Sequence, residues 1–557
     1  MKSKPSFLWI CKTAKKQLGL LILLGVLSIV TSVSYIGLAL VSRRAINIAT
    51  ASIPFSDMKP QLIVCGVYLL VIIIVQLLLT LLSSHIKTMV SGRFEIDLRN
   101  RLFGKIVSTK YSHIRTFHSG ELLNRFTSDV DIVVAGVTNF LPQALSIVSK
   151  IISGLIVIAT FSKGFTGLVL LIGLVVMLGA LLFSPIYKKL HKRAQQESGV
   201  MRGFAQECVE NITVVKSFST KQPLISKLAE YMKKVYKTKI LRNHISNGST
   251  GIIFLVFTLG YYATLFWGAF EIATGRMDYG TLMAFLQIVS QIRAPFYNAS
   301  GLISHFYGAL ASAERLMELE QLPDDKTDSD FNSIKCYSLL KEIKATNLSF
   351  SYGDANVIEN SSFSIKKGDF ISVTGASGAG KSTLFKLLLG LFEPDEGRLS
   401  LVTDNGERIV DASTRSLFAY VPQGNLVLSG TIAENIKFGC PEVSDELMIN
   451  AARIACLDEF VDPLPDHYNT VLGERGLGLS EGQVQRIAIA RALLSDAPIL
   501  LLDECTSALD EQLEERLLNN LIALSSKTIL FISHRNAALS ICNAHLRLEN
   551  HKFEQVK

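Results

Sequence analysis

The sequence has few charged residues, and its cysteines lack the spacing of a metal site. Only 19% of the 557 residues are Asp, Glu, Lys or Arg, whereas 49% are hydrophobic and the mean hydropathy is +0.34, which disfavours an ordinary soluble protein. The eight cysteines include no C-x-x-C pair, so reduced thiols are expected and a metal site with cysteine ligands is disfavoured. No basic stretch interleaved with aromatic residues occurs after residue 340. The net charge of +8 therefore does not indicate nucleic-acid binding.

The hydrophobic residues are concentrated in the first part of the chain. Six segments there approach the roughly 20 apolar residues that a helix needs to cross about 30 Å of hydrocarbon. The segments are residues 18–41, 62–82, 133–161, 165–183, 252–270 and 282–307. Buried helices of a large soluble protein are the alternative, but the six segments contain hardly a charge. The first is too long for a cleaved signal peptide and lacks a small-residue cleavage site. Residues 1–320 are thus predicted to form an all-α transmembrane domain of six helices.

Basic residues predict the orientation of these spans. The N-terminus carries five lysines before residue 17, and the connections after the second and fourth spans are rich in Lys and Arg. The positive-inside rule places all three on the cytoplasmic side. Arg43 and Arg44, at the end of the first span, go against this trend. An even number of spans returns the chain to the cytoplasm, so both the N-terminus and the residues after 320 are predicted to be cytoplasmic.

A phosphate-binding loop lies in the second half of the chain. Residues 375–383 fit the pattern G-x-x-x-x-G-K-[ST] and follow a strand-like run at 370–374, and residues 384–391 are predicted to form the helix after the loop. Glycines let backbone N–H groups point at phosphate oxygens, Lys381 brings a positive charge, and Ser382 can hold Mg²⁺. A chance glycine-rich turn is disfavoured by this strand and helix context. The predicted nucleotide contacts are Gly375, Ala376, Ser377, Gly378, Ala379, Gly380, Lys381, Ser382 and Thr383.

Two further strand-like runs end in polar residues. Residues 499–502 are four aliphatics of the kind found in a buried parallel strand, and Asp503 and Glu504 follow directly. Asp503 suits a partner for Mg²⁺, and Glu504 could polarise the water that attacks a γ-phosphate. Residues 528–532 form the second run, which ends in Ser533 and His534. His534 could reach the γ-phosphate, or it could have the structural role that a lone histidine has more often.

These motifs together resemble the ATP-binding cassette (ABC) family. Residues 479–483, Leu-Ser-Glu-Gly-Gln, are similar to the family's signature sequence, and the order of the motifs agrees. The resemblance implies ATP and Mg²⁺ as cofactors and a site shared by two chains. In it Tyr352 stacks on adenine, and Glu504, His534 and Gln423 are catalytic. Ser382, Gln423 and Asp503 hold the metal, while Ser480, Gly482, Gln483 and Asp510 act across the dimer interface. The family usually has glycine where this chain has Glu481, which we interpret as a tolerated variant at the start of a helix.

Other segments resemble the exporter branch of the family. Residues 117–131 and 210–218 are similar to its two cytoplasmic loops with coupling helices, and residues 473–476 match an element found in exporters. The resemblance implies a half-transporter: the six-helix domain, a linker at 321–339, and an α/β P-loop ATPase domain with a helical signature subdomain at 340–557. It also implies a multi-pass protein of a bacterial cytoplasmic (inner) membrane. A homodimer is the simplest assembly because every ATP-site element is present, and a heterodimer is the alternative.

The expected function is ATP-driven export or flipping of a hydrophobic or amphipathic substrate, such as a lipid, peptide or drug-like compound. An ATP-gated channel or transport regulator on the same fold is the alternative, which intact Glu504 and His534 disfavour. The sixth span carries polar residues at membrane depth, where such groups usually face a cavity. They are Gln287, Gln291, Arg293, Asn298 and His305. Either Arg293 faces the translocation cavity and favours an anionic amphiphile, or it forms a structural pair.

Overall fold

The chain forms two compact units in a computed structural model. The structure describes residues 3–218, 221–326, 328, 330–424, 427–473, 478–524, 526–533, 535 and 539–556, and only the backbone of residues 3–4, 168, 171–172, 174–184, 187–188, 191, 249 and 292–304. The helical unit comprises residues 1–104 and 119–321, and the mixed unit comprises residues 105–118 and 322–557. The segment 105–118, which the sequence placed within the first domain, groups with the mixed unit. Its backbone bonds to that unit explain this: the Lys110 N–H donates to the Pro323 carbonyl at 3.0 Å.

Long helices make up the helical unit. In chain order the helices up to residue 320 are α1 (Ser3–Thr13), α2 (Leu18–Thr50), α3 (Phe55–Ser108), α4 (Tyr111–Ile114), α5 (Ser119–Asn124), α6 (Val130–Phe161), α7 (Lys163–Glu210), α8 (Ile212–Ser217), α9 (Lys221–Ala273) and α10 (Tyr279–Glu320). Each of the six predicted spans lies within one of these, in α2, α3, α6, α7, α9 and α10. Among the described residues, four stretches are long and apolar enough to cross a membrane: 5–50, 55–108, 119–161 and 221–273.

Apolar side chains on these helices face outward. Leu70, Ile73 and Leu77 of α3 are 56–58% exposed. In water such an aliphatic surface is unfavourable, at about 25 cal/mol for each Å² that stays exposed. The same surface is matched to lipid, which agrees with a membrane-spanning role for α3.

Arg43, the exception to the positive-inside trend, has a local partner. Its guanidinium lies 3.2 Å from the Asp278 carboxylate and donates to the Thr281 hydroxyl at 2.8 Å. It also lies over the ring of Phe161, 4.1 Å from the ring centroid. Arg43 thus ties the end of α2 to the start of α10. These contacts give Arg43 a structural role at this end of the helices, although it remains an exception to the positive-inside trend.

The first predicted cytoplasmic loop is anchored by buried charges. It contains α5, a π-helical turn at Arg125–Asp129, and the start of α6. The Asp129 carboxylate is 1% exposed and accepts from Arg315 Nε at 2.8 Å and from the Ser312 hydroxyl at 2.9 Å. Arg125 in turn donates to Glu318 at 2.8 Å. A buried carboxylate is tolerated only with such partners, so these contacts fix the loop against the end of α10.

The mixed unit contains two main sheets. Its strands are β1 (Leu340–Tyr352), β2 (Ala355–Lys366), β3 (Phe370–Gly375), β4 (Glu396–Thr403), β5 (Gly406–Ile409), β6 (Phe418–Val421), β7 (Gly430–Thr431), β8 (Val471–Leu472), β9 (Ile499–Asp503), β10 (Thr528–Ile532), β11 (Ala544–Glu549) and β12 (Lys552–Val556). Strands β2-β1-β4-β5 form an antiparallel sheet, and β12-β11-β3-β10-β9-β6 form a sheet in which only the β12 edge is antiparallel. A short β7-β8 ribbon completes the set.

Helices pack on both faces of the six-stranded sheet. They are α11 (Ser333–Leu339), α12 (Lys381–Leu388), α13 (Ile432–Ile436), α14 (Asp445–Ile454), α15 (Asp458–Val461), α16 (Glu481–Leu494) and α17 (Glu511–Ile522). One hydrophobic cluster joins the sheet to α14, α16 and α17, and another joins it to α12 and the antiparallel sheet. Strands β9 and β10 are buried along their whole length, which explains their continuous apolar sequence. The helical segment α13–α16 forms the subdomain that carries the signature.

Candidate functional site

Four parallel strands bring the predicted site residues to one edge of the sheet. In the order β3-β10-β9-β6, the strands end at Gly375, Ile532, Asp503 and Val421. The phosphate-binding loop follows β3, Glu504 follows β9, and Gln423 lies two residues beyond β6. The carboxyl edge of a parallel sheet is where such folds bind ligands. The topology therefore gathers residues that lie more than 120 positions apart in the sequence.

The loop after β3 has the backbone that a phosphate cradle requires. Gly375, Gly378 and Gly380 have φ angles of 151°, 76° and 116°, a region that residues with a side chain rarely adopt. A Cβ at Gly380 would lie 2.2 Å from the Val357 side chain. Helix α12 begins at Lys381 and ends at Leu388, about three residues earlier than predicted at both ends. The difference arises because the last residues of the motif themselves form the first turn, so their N–H groups face the loop.

Lys381 is buried at the centre of this loop. Its Nζ donates to the carbonyls of Gly375 at 2.8 Å and of Ala376 at 3.0 Å. Burial lowers the pKa of Lys381, and the negative charges of Glu504 and Asp503 oppose that shift. Phosphate oxygens are better acceptors for an ammonium than carbonyls are, so bound phosphate would stabilise the charged form. The lysine is thus held against the loop that is predicted to bind phosphate.

Asp503 provides a buried carboxylate beside the loop. The Tyr420 hydroxyl donates to its Oδ2 at 3.2 Å, while Oδ1 is buried and accepts no hydrogen bond from any residue that the structure describes. Burial raises the pKa of Asp503, and the nearby Ser382 and Tyr420 hydroxyls lower it. A buried carboxylate oxygen without a donor is costly unless a cation or water occupies its lone pairs. Ser382 and Asp503 supply the hard oxygen ligands that Mg²⁺ prefers, so the residues fit this ion.

Glu504 and Gln423 are in direct contact. The Gln423 Nε2 donates to the Glu504 carboxylate at 2.6 Å, which leaves the amide oxygen of Gln423 outside this hydrogen bond. Glu504 has a φ of +48°, and its N–H donates to the Ile532 carbonyl of the neighbouring strand at 3.1 Å. A left-handed backbone at a residue other than glycine is uncommon, and such conformations cluster at functional sites. The two residues predicted to sense and activate water are therefore brought together.

Tyr352 ends β1 near the phosphate-binding loop. Its hydroxyl lies 3.4 Å from the Thr383 hydroxyl, and the rings of Phe350 and Phe392 pack against it at centroid distances of 4.9 and 5.4 Å. The guanidinium of Arg115 lies over the same ring, 4.6 Å from its centroid. The ring is thus positioned by aromatic neighbours, with a cation on one face. Sequence reasoning missed Arg115, since no motif marks it.

The signature residues form the start of α16. Ser480 is the N-cap: its hydroxyl accepts from the Gln483 N–H at 3.3 Å, while the Gln483 side chain accepts from the Ser480 N–H at 2.8 Å. This capping box satisfies two donors at the helix end. Glu481 is exposed in the first turn, where the helix dipole favours an acid, as the sequence interpretation expected. Gly482 is buried, and a Cβ there would lie 2.9 Å from the Ala508 carbonyl.

Residues 507–510, which end at the predicted interface residue Asp510, are held from two sides. Gln485 of α16 donates to the Ser507 hydroxyl at 3.2 Å. Arg535 donates to the Ser507 and Leu509 carbonyls, both at 2.8 Å. Asp510 caps α17 by accepting from the Leu513 N–H at 2.9 Å, which is a structural role besides the predicted one. Neither Gln485 nor Arg535 was identified from the sequence, although Arg535 directly follows the predicted catalytic histidine.

Several predicted residues lie outside the described part of the chain. These are His534 and most of the exporter element at 473–476, namely residues 474–476. The side chains of Arg293 and Asn298 are likewise not described, whereas Gln291 donates to the Tyr35 carbonyl at 3.2 Å. Gln291 therefore joins α10 to α2. Gln287 is half-buried and His305 is exposed in the same helix.

Comparisons with known proteins show which family and fold the chain resembles. Two family models match, "ABC transporter transmembrane region" over residues 21–296 and "ABC transporter" over residues 358–507. The mitochondrial potassium channel ATP-binding subunit of Xenopus tropicalis is 32% identical, covering 82% of this chain and 67% of that protein. The ATP-dependent lipid A-core flippase of Syntrophus aciditrophicus (strain SB) is 27% identical, covering 81% of this chain and 75% of that protein.

Coverage of the relatives varies. ABC transporter B family member 1 of Dictyostelium discoideum is 28% identical over 88% of this chain, but the chain spans only 54% of its length. Among solved structures, a bacterial Atm1-family ABC exporter with ATP bound matches with a TM-score of 0.82. The match covers 97% of this chain and 95% of the other at 20% identity, so it shows the shared fold.

Proposed function

We propose, because the chain belongs to the ABC transporter family and has the fold of an exporter half-transporter, that it forms a two-chain pump driven by ATP hydrolysis. The observation that carries the proposal is the contact between Gln423 and Glu504, 2.6 Å long, at the sheet edge that also bears the phosphate-binding loop. A carboxylate oriented by an amide beside a phosphate cradle is suited to activating water for attack on a γ-phosphate. A module that only binds nucleotide needs no such pair.

Each residue of the edge has a proposed task in hydrolysis. The loop amides and Lys381 bind the phosphates, and Glu504, oriented by Gln423, accepts a proton from the attacking water. Ser382, Gln423 and Asp503 would hold Mg²⁺, which supplies charge neutralisation at the phosphates when bound. The orphaned Oδ1 of Asp503 supports this assignment. For His534, we propose from the sequence alone that it contacts the γ-phosphate.

The working site is proposed to be shared between two chains, and most simply between two copies of this one. Ser480 and the Gly482 N–H of one chain then complete the site around the partner's phosphate loop. The exposed residues around α8 support coupling to the partner's ATPase domain, because Val214 is 53% and Phe218 73% exposed on a loop predicted to be cytoplasmic. Outside a membrane, a group of apolar residues exposed to this extent is typical of a surface that contacts another protein.

A mixed-variant experiment tests the shared site. Lys381→Ala and Ser480→Arg each disable both sites of a homodimer. In a mixed dimer, one site carries both defects and the other carries neither. We therefore expect co-expressed, doubly tagged mixed dimers to regain a substantial fraction of wild-type ATPase activity. Mixed dimers as inactive as the two parents would contradict a site built from two chains, and Lys381→Ala mixed with itself is the matched control.

The proposed cargo is a hydrophobic or amphipathic compound, such as a lipid, peptide or drug-like molecule, moved by alternating access across a bacterial cytoplasmic membrane. The apolar, outward-facing surfaces of the helical unit support a route that lipid-soluble compounds can enter, and one relative is named a lipid A-core flippase. In this arrangement the N-terminus and residues 322–557 are cytoplasmic. Mass spectrometry of molecules that co-purify with Glu504→Gln protein in lipid, before ATP is added, identifies the cargo.

A second candidate is an ATP-gated channel or its regulator, because one relative is named a potassium channel ATP-binding subunit. A channel would pass ions down their gradient whenever ATP is bound. The pump instead moves cargo only while ATP is hydrolysed. Conductance that persists in Glu504→Gln protein with ATP bound would favour the channel, whereas its absence, together with cargo accumulation by wild-type protein, favours the pump.

A further inference from the structure

Arg115 covers one face of the Tyr352 ring. Its guanidinium carbon lies 4.6 Å from the Tyr352 centroid and 5.8 Å from the Phe392 centroid. The Arg115 side chain is exposed, and among the described residues it forms no ion pair. A guanidinium over an aromatic face is attracted by the ring's quadrupole. The contact therefore needs no carboxylate to explain it.

The segment that carries Arg115 is fastened to the rest of the mixed unit. Lys110 forms a 2.8 Å ion pair with Glu393, and the Tyr111 ring meets the Phe392 ring edge-on at 5.5 Å. Arg115 lies four residues after Tyr111, on the same side of the same segment. The backbone that carries Arg115 is thus held in place by packed neighbours, while its own guanidinium stays exposed.

Of the described neighbours of the Tyr352 ring, Arg115 is the one that can leave at low cost. Phe350 is 4% exposed and belongs to the core of the unit, and Phe392 is half-buried against it. Moving either ring would open packed apolar surface. The exposed guanidinium can instead rotate into the adjoining cavity of about 710 Å³, which Asp325, Glu393 and Asp395 also line. A base that stacks on Tyr352 would therefore displace the cation rather than the rings.

We propose, resting on the proposed role of Tyr352 in binding the base, that Arg115 competes with the adenine of bound nucleotide for the face of Tyr352. A cation–π contact at an exposed site contributes about twofold to fivefold in an equilibrium constant. Stacking of a base on an aromatic side chain contributes about fivefold to more than a hundredfold. The base therefore wins, and Arg115 lowers nucleotide affinity without blocking the site.

Calorimetry on the full-length protein in lipid nanodiscs tests the competition. The ligands are MgADP, which carries a base and is not hydrolysed, and magnesium pyrophosphate, which carries no base. The variants are Arg115→Ala, Arg115→Lys, Tyr352→Ala and the Arg115→Ala/Tyr352→Ala double variant. We expect Arg115→Ala to lower the Kd of MgADP about twofold to fivefold and to leave that of pyrophosphate unchanged. Arg115→Lys should show a smaller effect, and Arg115→Ala should have none in the Tyr352→Ala background.

The outcomes distinguish the competition by Arg115 from the base-binding role of Tyr352 on which it rests. A higher Kd of MgADP in Arg115→Ala would mean that Arg115 holds the base and would overturn the competition. An equal change for pyrophosphate would mean a general charge effect and would also overturn it. If Tyr352→Ala weakens MgADP binding while Arg115→Ala changes nothing, Arg115 has no such role but Tyr352 keeps its own. If Tyr352→Ala leaves MgADP binding unchanged, the base-binding role of Tyr352 fails, and the competition fails with it.

Discussion

We predict that the buried carboxylate of Asp503 destabilises the folded protein, although its proposed function requires it. Its carboxylate is 2% exposed, Oδ1 accepts no hydrogen bond from the described residues, and burial raises its pKa. Replacing Asp503 with Asn keeps the shape and an oxygen acceptor for the Tyr420 hydroxyl while removing the buried charge. Leaving a buried polar group unsatisfied costs about 1 to 3 kcal/mol, and Asn has its own amide to satisfy. We therefore expect a net gain of about 1 kcal/mol.

That gain is measurable as a thermal shift with a defined pH dependence. In a domain of this size about 1 kcal/mol corresponds to roughly 2–4 °C in Tm. Because the folded-state pKa is raised, the charged carboxylate destabilises the fold fully above that pKa, and the cost disappears as pH falls below the unfolded pKa. The difference between Asp503→Asn and wild type should thus be largest at neutral pH and shrink on acidification.

Differential scanning fluorimetry of the full-length protein measures this shift. The relevant thermal transition is the one whose Tm changes when nucleotide is added. Without nucleotide, Asp503→Asn should melt higher than wild type at pH 7.5, and the gap should narrow towards pH 4. With Mg-ATP the order should reverse, because wild type gains ligand stabilisation that the variant lacks. A variant that melts lower at every pH without nucleotide would refute the reasoning. Equal stabilisation of both proteins by Mg-ATP would refute the metal role.

Three further predictions concern other positions. Glu481→Gly should leave ATPase activity within several-fold of wild type, because Glu481 is exposed in the first turn of α16; a near-total loss would show that the acid is required. Gly380→Ala should abolish nucleotide binding measured by calorimetry, since a Cβ there would lie 2.2 Å from the Val357 side chain. Gly378→Ala should weaken binding less, because a Cβ there would meet nothing within 4 Å. Arg315→Ala should lower the free energy of unfolding by about 1–3 kcal/mol, because the buried Asp129 carboxylate loses its cation while keeping the Ser312 donor, and adding Asp129→Asn should restore part of it in denaturant titrations.

The sequence predicted the elements of the site better than their contacts. The strand predicted at 528–532 is confirmed, and the other site strands were found because a run of aliphatics with turn residues at its ends is a local signal. The helix after the phosphate loop was displaced by three residues, since Ser382 and Thr383 have only average helix propensity and their helical conformation depends on the preceding loop. Local patterns do not carry that tertiary contribution.

Contacts between distant residues could not be predicted in this way. The pair of Gln423 and Glu504 spans 81 positions, and only the strand order β6-β9 brings the two together. The contact of Arg43 with Asp278 spans 235 positions and likewise has no local sequence signal. The contact of Arg115 with Tyr352 has no sequence signal, because no motif distinguishes Arg115 from the other basic residues of its loop. Such contacts depend on topology, which the composition of a segment does not specify.

The most direct test of the ATP-driven pump is transport by inside-out vesicles that contain either wild-type or Glu504→Gln protein. The cargo is the compound identified by co-purification, and uptake is measured with ATP against its concentration gradient. The Glu504→Asp variant serves as a control that keeps the carboxylate. We expect wild type to accumulate cargo and Glu504→Gln to bind ATP without accumulating it, with ATPase activity falling by about 10²-fold or more. Uphill uptake that continues unchanged in Glu504→Gln would contradict a pump driven by hydrolysis at this site.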